Sequence, residues 1–175
     1  MSPAMRVLPR TLEAFMAQAL AMEQEAVERY TEFADAMQAH NNTEVAALFR
    51  TMASYEAKHA AEILQRMGWT EATAPRAGSE GWVDFEGPET VPIDEVHYLM
   101  QPWHALQLAL EAEQRAAAFF GQLAEAATSD DVRQAALELQ QEEIEHVALV
   151  RAWLAKVPQP DGDWADDPDP PRYHD

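Results

Sequence analysis

Glu56-Ala57-Lys58-His59 and Glu143-Ile144-Glu145-His146 share the pattern Glu-x-x-His and stand 87 positions apart. Three residues is just under one turn of an α-helix, so each tetrapeptide points a carboxylate and an imidazole the same way. These are donor types that suit first-row metals. One such match means little in a chain with 20 glutamates, and a lone histidine on an apolar face is more often a packed core residue than a ligand. Recurrence alters that reading. A second pattern, Ala19-Leu20-x-x-Glu23-Gln24-x-Ala26, reappears 90 positions later as Ala109-Leu110-x-x-Glu113-Gln114-x-Ala116. Each Glu-x-x-His therefore has a partner segment carrying one more glutamate. Six donors result: Glu23, Glu56, His59, Glu113, Glu143 and His146.

Four segments with helical periodicity must position them. The first, about 11–40, repeats Leu12, Met16, Leu20, Glu23, Val27, Tyr30, Ala34 and Met37 on one face. The second runs from Thr43, a plausible N-cap, to Gly68, with Val45, Leu48, Met52, Glu56, His59 and Ile63 aligned. Pro102 suits the first turn of the third, where Leu106, Leu110, Glu113, Ala117, Phe120 and Ala124 line up. The fourth starts near Ser129, has Asp130 and Asp131 at its N-terminus, and aligns Val132, Ala136, Leu139, Glu143, His146, Val150 and Trp153. All six donors fall on these otherwise apolar stripes.

Short polar turns join the first helix to the second and the third to the fourth, so each pair is expected to be an antiparallel hairpin. The stretch of about 69–101 between the pairs is rich in Pro and Gly, and its length fits a crossover from one end of a bundle to the other. Asp94–Met100 could form a short helix in it, with Trp82, Val83 and Phe85 packed on the bundle. The fold expected is all-α: a four-helix bundle of two pseudo-equivalent hairpins, spanning residues 1–157. Residues 158–175 hold five prolines and six aspartates, cannot build a core, and are expected to be extended.

Four ionised carboxylates in an apolar interior cost several kcal/mol each, even after relaxation. Two divalent cations would balance the four negative charges, with the neutral imidazoles completing the shells. Glutamate donors beside Glu-x-x-His pairs, all projecting inward from four helices, are a recurring arrangement in di-iron and di-manganese bundles.

On these residues the chain resembles the rubrerythrin and ferritin superfamily over about residues 11–156, with Glu23 through Tyr30, Glu56 through His59, Ala112-Glu113-Gln114 and Glu143 through His146 carrying the likeness. The resemblance implies that Glu23 and Glu113 are single-helix ligands, Glu56 and Glu143 bridging carboxylates, and His59 and His146 terminal ligands. Tyr30 resembles the family tyrosine that can hydrogen-bond a ligand carboxylate; an ordinary core aromatic is its other reading. Peroxidase-type rubrerythrins commonly carry a further glutamate where this chain has Ala116, and often a rubredoxin domain, which needs cysteines this chain lacks. The six-donor shell is in that respect closer to bacterioferritin-type sites.

Other polar residues weigh less. Glu111 and Glu145 rotate off the core face, as expected of solvated helix surface. Asp94 and His97 have ligand-like spacing but lie in the crossover, and His40, His104 and His174 lack sequence partners. With no cysteine, disulfides, thiolate zinc sites and Cys-ligated iron–sulfur centres are excluded. A formal charge of −19 argues against nucleic acid and anionic membranes as partners. No run of 18 apolar residues occurs, and Glu13 interrupts the first apolar stretch, so a soluble cytoplasmic protein is expected.

The function expected from donors and resemblance together is a di-iron oxidoreductase reducing peroxide or oxygen with ferrous iron, active against oxidative stress, with electrons from a separate donor protein or from iron itself. Manganese or a mixed metal pair is the alternative cofactor. A ferritin-like iron oxidation and storage protein is the second functional reading, and a manganese catalase-like enzyme the third. A homo-oligomer, dimer or larger, is expected.

Overall fold

The computed structural model describes residues 9–76 and 101–160. They form four α-helices: α1 Leu12–Ala39, α2 Thr43–Met67, α3 Pro102–Ala126 and α4 Asp130–Leu154. α1 packs chiefly on α2 and α3 chiefly on α4; contacts of α2 with α3 and of α1 with α4 close the ring. The expected pair of hairpins is therefore present. Between them only residues 68–76 and Gln101 are described. The expected short helix at Asp94–Met100, the Asp94/His97 pair, the packing of Trp82, Val83 and Phe85, and residues 161–175 with His174 lie outside the described residues.

Local chemistry sets the helix ends. The Thr11 side chain accepts from the Ala14 N–H at 3.1 Å and starts α1. At the next start the cap is Asn42, whose Oδ1 accepts from the Val45 N–H, and Thr43 is already helical. The capping group thus lies one residue earlier than the spacing predicts. Asn41 turns the chain between α1 and α2 at φ 62, a left-handed conformation that asparagine tolerates better than most residues. Gly68 ends α2 at φ 67, while the Trp69 N–H donates back to the Leu64 carbonyl at 2.9 Å, so a residue without Cβ is needed there.

The buried face is wider than one residue per turn. Ala26, Phe49 and Ala116 are buried, whereas their stripe neighbours Val27, Leu48, Leu110, Ala117 and Trp153 are only half-buried. A bundle helix touches two neighbours, so its apolar face spans two adjoining rows. The apolar interior divides into two layers. One joins Tyr30, Phe33, Met37, Val45, Phe49, Met52, Leu106 and Val150. The other joins Phe15, Met16, Leu20, Ile63, Phe120, Leu139 and several alanines. Along every helix the donor residues fall between these layers.

Candidate metal centre

Each helix delivers its donors from mid-length, where both backbone hydrogen bonds of every residue are made and the carboxylates sit on rigid scaffolding. Glu23 has Ala19 and Ala26 one turn away on its own helix, Glu56 has Ala53 and Ala60, and Glu113 has Ala109 and Ala116; all six alanines are buried. Small neighbours let the helices approach while leaving room for carboxylates to reach the axis. Glu23, Glu56, Glu113 and Glu143 are all 0% exposed, and His59 is 6% exposed.

The donor atoms of Glu23, Glu56, His59 and Glu143 all lie within 4.8 Å of one another, and so do those of Glu56, Glu113, Glu143 and His146. Two four-donor groups therefore overlap, sharing Glu56 and Glu143. His59 Nδ1 stands 3.6 Å from Glu23 Oε1 and 3.6 Å from Glu143 Oε1. His146 Nδ1 stands 3.4 Å from Glu56 Oε1, 3.6 Å from Glu113 Oε2 and 3.9 Å from Glu143 Oε2. The two imidazoles stack with centroids 4.4 Å apart and planes 6° from parallel.

These separations test whether the residues fit metal ions. A charge-assisted N–H···O bond closes to about 2.7–2.9 Å. Here both Nδ1 atoms are buried and make no hydrogen bond, each facing carboxylate oxygens at a longer distance. Nitrogen and oxygen atoms gathered within 4.8 Å of one another, with neither Nδ1 closing to a hydrogen bond, are what cations held between them require. The donor set, four oxygen-bearing and two nitrogen-bearing side chains without sulfur, suits first-row divalent ions. The residues fit the group.

Electrostatics within the cluster is coupled. Burial pushes the Glu113 carboxyl up, but side-chain contacts with Glu143, His146 and Glu56 and the charge of His146 outweigh it and hold Glu113 below its usual value. Glu142, beside the site on α4, is pushed up, first by burial and then by repulsion from Glu62 and Glu145, with His59 opposing.

The six residues picked out by spacing are brought together. Glu111 and Glu145 are exposed, as their helical angle predicts. Tyr30 is fully buried with its ring 6.0 Å from that of Phe49, within the apolar layer next to the site. His104 is buried at the start of α3, where its Nδ1 accepts from the Gln101 N–H at 3.1 Å, a capping role that spacing does not assign. His40 is the residue after α1 and lies away from the cluster. Spacing also misses two neighbours of the site: Glu142, whose Oε2 is 3.7 Å from His59 Nε2, and Tyr55, whose ring is 5.3 Å from that of His146. The signal that could have found them is position, since each immediately precedes a Glu-x-x-His.

The sequence profile of the rubrerythrin family matches residues 14–154, which include all four helices' donors. The chain belongs to the rubrerythrin family. The fold is accordingly a ferritin-like bundle, and its buried carboxylates and histidines occupy the interior of a family domain associated with paired iron. A crystal structure of an uncharacterized conserved protein from Magnetospirillum magnetotacticum MS-1 is similar, with 36% identity, a TM-score of 0.63, and coverage of 86% of this chain and 98% of that one. No curated protein matches the sequence. No described helix is long and apolar enough to cross a membrane.

Proposed function

We propose that the chain is a di-iron oxidoreductase that reduces hydrogen peroxide or oxygen. The observation carrying this reading is the overlap of two four-donor groups through Glu56 and Glu143, inside a rubrerythrin-family bundle. In it Glu56 and Glu143 would hold both ions, with Glu23 and His59 completing one donor set and Glu113 and His146 the other. Ferrous iron bound there would supply the two electrons that, with two protons, reduce peroxide to two waters. The chain's own part is to keep the ions adjacent and to exclude bulk water with the apolar layers on either side. Tyr30 in this reading orients a ligand carboxylate by a hydrogen bond. The di-metal domain comprises residues 1–157, with the acidic segment 158–175 appended; electrons come from a separate donor or from the iron itself.

The test is stopped-flow absorbance after ferrous-loaded protein is mixed with peroxide or with oxygen, with metal content measured on the same sample. Two irons per chain and rapid oxidation support the reading. Sustained turnover only with an added reductant marks a reductase, whereas oxygen evolution from peroxide alone marks a catalase. Accumulation of ferric mineral within an assembly marks storage. Failure to hold two metals per chain overturns the di-metal assignment itself.

A further inference from the structure

The internal repeat that pairs Glu56 with Glu143 and His59 with His146 also pairs the residues just before them, Tyr55 and Glu142. Everything facing the inner nitrogens is nearly symmetric: His59 Nδ1 faces Glu23 and Glu143, and His146 Nδ1 faces Glu56, Glu113 and Glu143. The surroundings of the two rings differ elsewhere. His59 Nε2 faces the Glu142 carboxylate at 3.7 Å, with the Glu142 side chain 34% exposed. Tyr55 packs against His146 instead, ring centroids 5.3 Å apart and planes at 36°. Among the described residues, the carboxylates near His146 all approach it through Nδ1.

A carboxylate at the outer nitrogen of a ligating imidazole holds the ring in one tautomer and orientation and makes the inner nitrogen a stronger donor. With Nδ1 on a metal, Nε2 carries the proton, and the half-exposed Glu142 has room to close the gap to a hydrogen bond. An aromatic ring can fix the position of His146 but cannot polarise it in this way. We infer that the two subsites are inequivalent: Glu142 is a positioning residue that makes the Glu23/His59 subsite the retentive one, and the Glu113/His146 subsite, backed by Tyr55, holds the exchangeable ion. The inference rests on the di-metal reading above and deepens it, giving one ion a resident role and the other a transient one.

The experiment is a Zn2+ titration of the full metal-free chain labelled with 15N at histidine, followed by long-range 1H–15N spectra. His59→Gln and His146→Gln samples assign the two signals. The expected result is that the His59 Nδ1 signal moves during the first equivalent and that of His146 during the second. Glu142→Gln, nearly isosteric and half-exposed, should weaken the first step by about 10–100-fold, the usual consequence of losing a ligand's outer partner, and abolish the order of filling. Tyr55→Phe should preserve the order, and Tyr55→Glu should tighten the second step. Simultaneous filling, His146 filling first, or an unchanged order in Glu142→Gln overturns the inference while leaving two metals per chain intact. If neither histidine signal moves over two equivalents, the di-metal reading fails and the inference falls with it.

Discussion

The middle of the bundle and the two layers flanking it are buried to the same degree by opposite means. In the layer holding Tyr30, Phe33 and Phe49, rings lie 5.4 Å and 6.0 Å apart, and burial itself is the stabilising term. In the layer holding Phe15 and Phe120 the ring centroids are 6.3 Å apart, and aliphatic side chains, methionines and alanines fill the rest. Between them four carboxylates of zero exposure face one another, an arrangement that costs free energy unless cations or protons compensate it. Equal burial thus carries opposite signs: the flanking layers hold the fold together, and that stability keeps the polar groups of the middle layer dry and close.

The sharpest break of the comparison is to remove a shared carboxylate. Glu56→Ala or Glu143→Ala should abolish oxidation of bound iron by peroxide and reduce paired metal binding by more than the about 10–100-fold expected for an outer-partner loss. Stopped-flow traces and metal content, compared with wild type, check this; wild-type rates in both variants would move the chemistry elsewhere.

Next in size is Phe49→Ala, which opens a cavity beneath Tyr30 and Phe33. It should lower the free energy of unfolding by about 3–5 kcal/mol, as read from urea or guanidinium midpoints, while stoichiometry stays at two metals per chain. Loss of metal in proportion to stability would erase the distinction between the layers.

A smaller effect is expected at the exposed start of α4. The Ser129 hydroxyl and the Val132 N–H donate to Asp131 Oδ1 at 2.7 Å and 2.8 Å and hold its carboxyl below the usual value. A depressed folded value contributes stability present above the unfolded pKa of about 3.9 and lost as pH falls through the folded one. Asp131→Asn should therefore lower the unfolding midpoint slightly at neutral pH, and the gap from wild type should vanish in acid. A gap that widens in acid would contradict the sign.

The smallest effect belongs to acids near the buried cluster in sequence and remote from it in angle. Glu111→Ala and Glu145→Ala should leave iron oxidation unchanged in the same stopped-flow assay, because both side chains are exposed. A loss in either comparable to that of Glu56→Ala would mean that exposure is no guide to chemistry here.

Much of the bundle and its centre is legible in the residue pattern. Helix periodicity is a short-range property, and a carboxylate three residues before a histidine shares its face whatever the rest of the chain does. The repeat therefore locates the six side chains that gather at the centre and the two hairpins, whose helix limits differ from expectation by a residue or so. Harder to read are the widths of the buried faces, because Leu48 and Phe49 offer equal hydrophobicity to a one-row stripe and only the second neighbouring helix decides between them. The capping role of His104 is equally hidden, since it depends on a backbone N–H that a helix start exposes.

By itself the sequence determined which residue types could gather and along which helix faces, since those follow from spacing and charge. Only the tertiary structure decided which side chains share a group, that Glu56 and Glu143 belong to both, that His59 Nε2 meets the Glu142 carboxylate, and that the Tyr55 ring lies beside that of His146. The physical reason is that helical periodicity orients a side chain about its own axis, whereas distances between helices are set by how alanines and large rings pack across the bundle, at separations that no local pattern encodes.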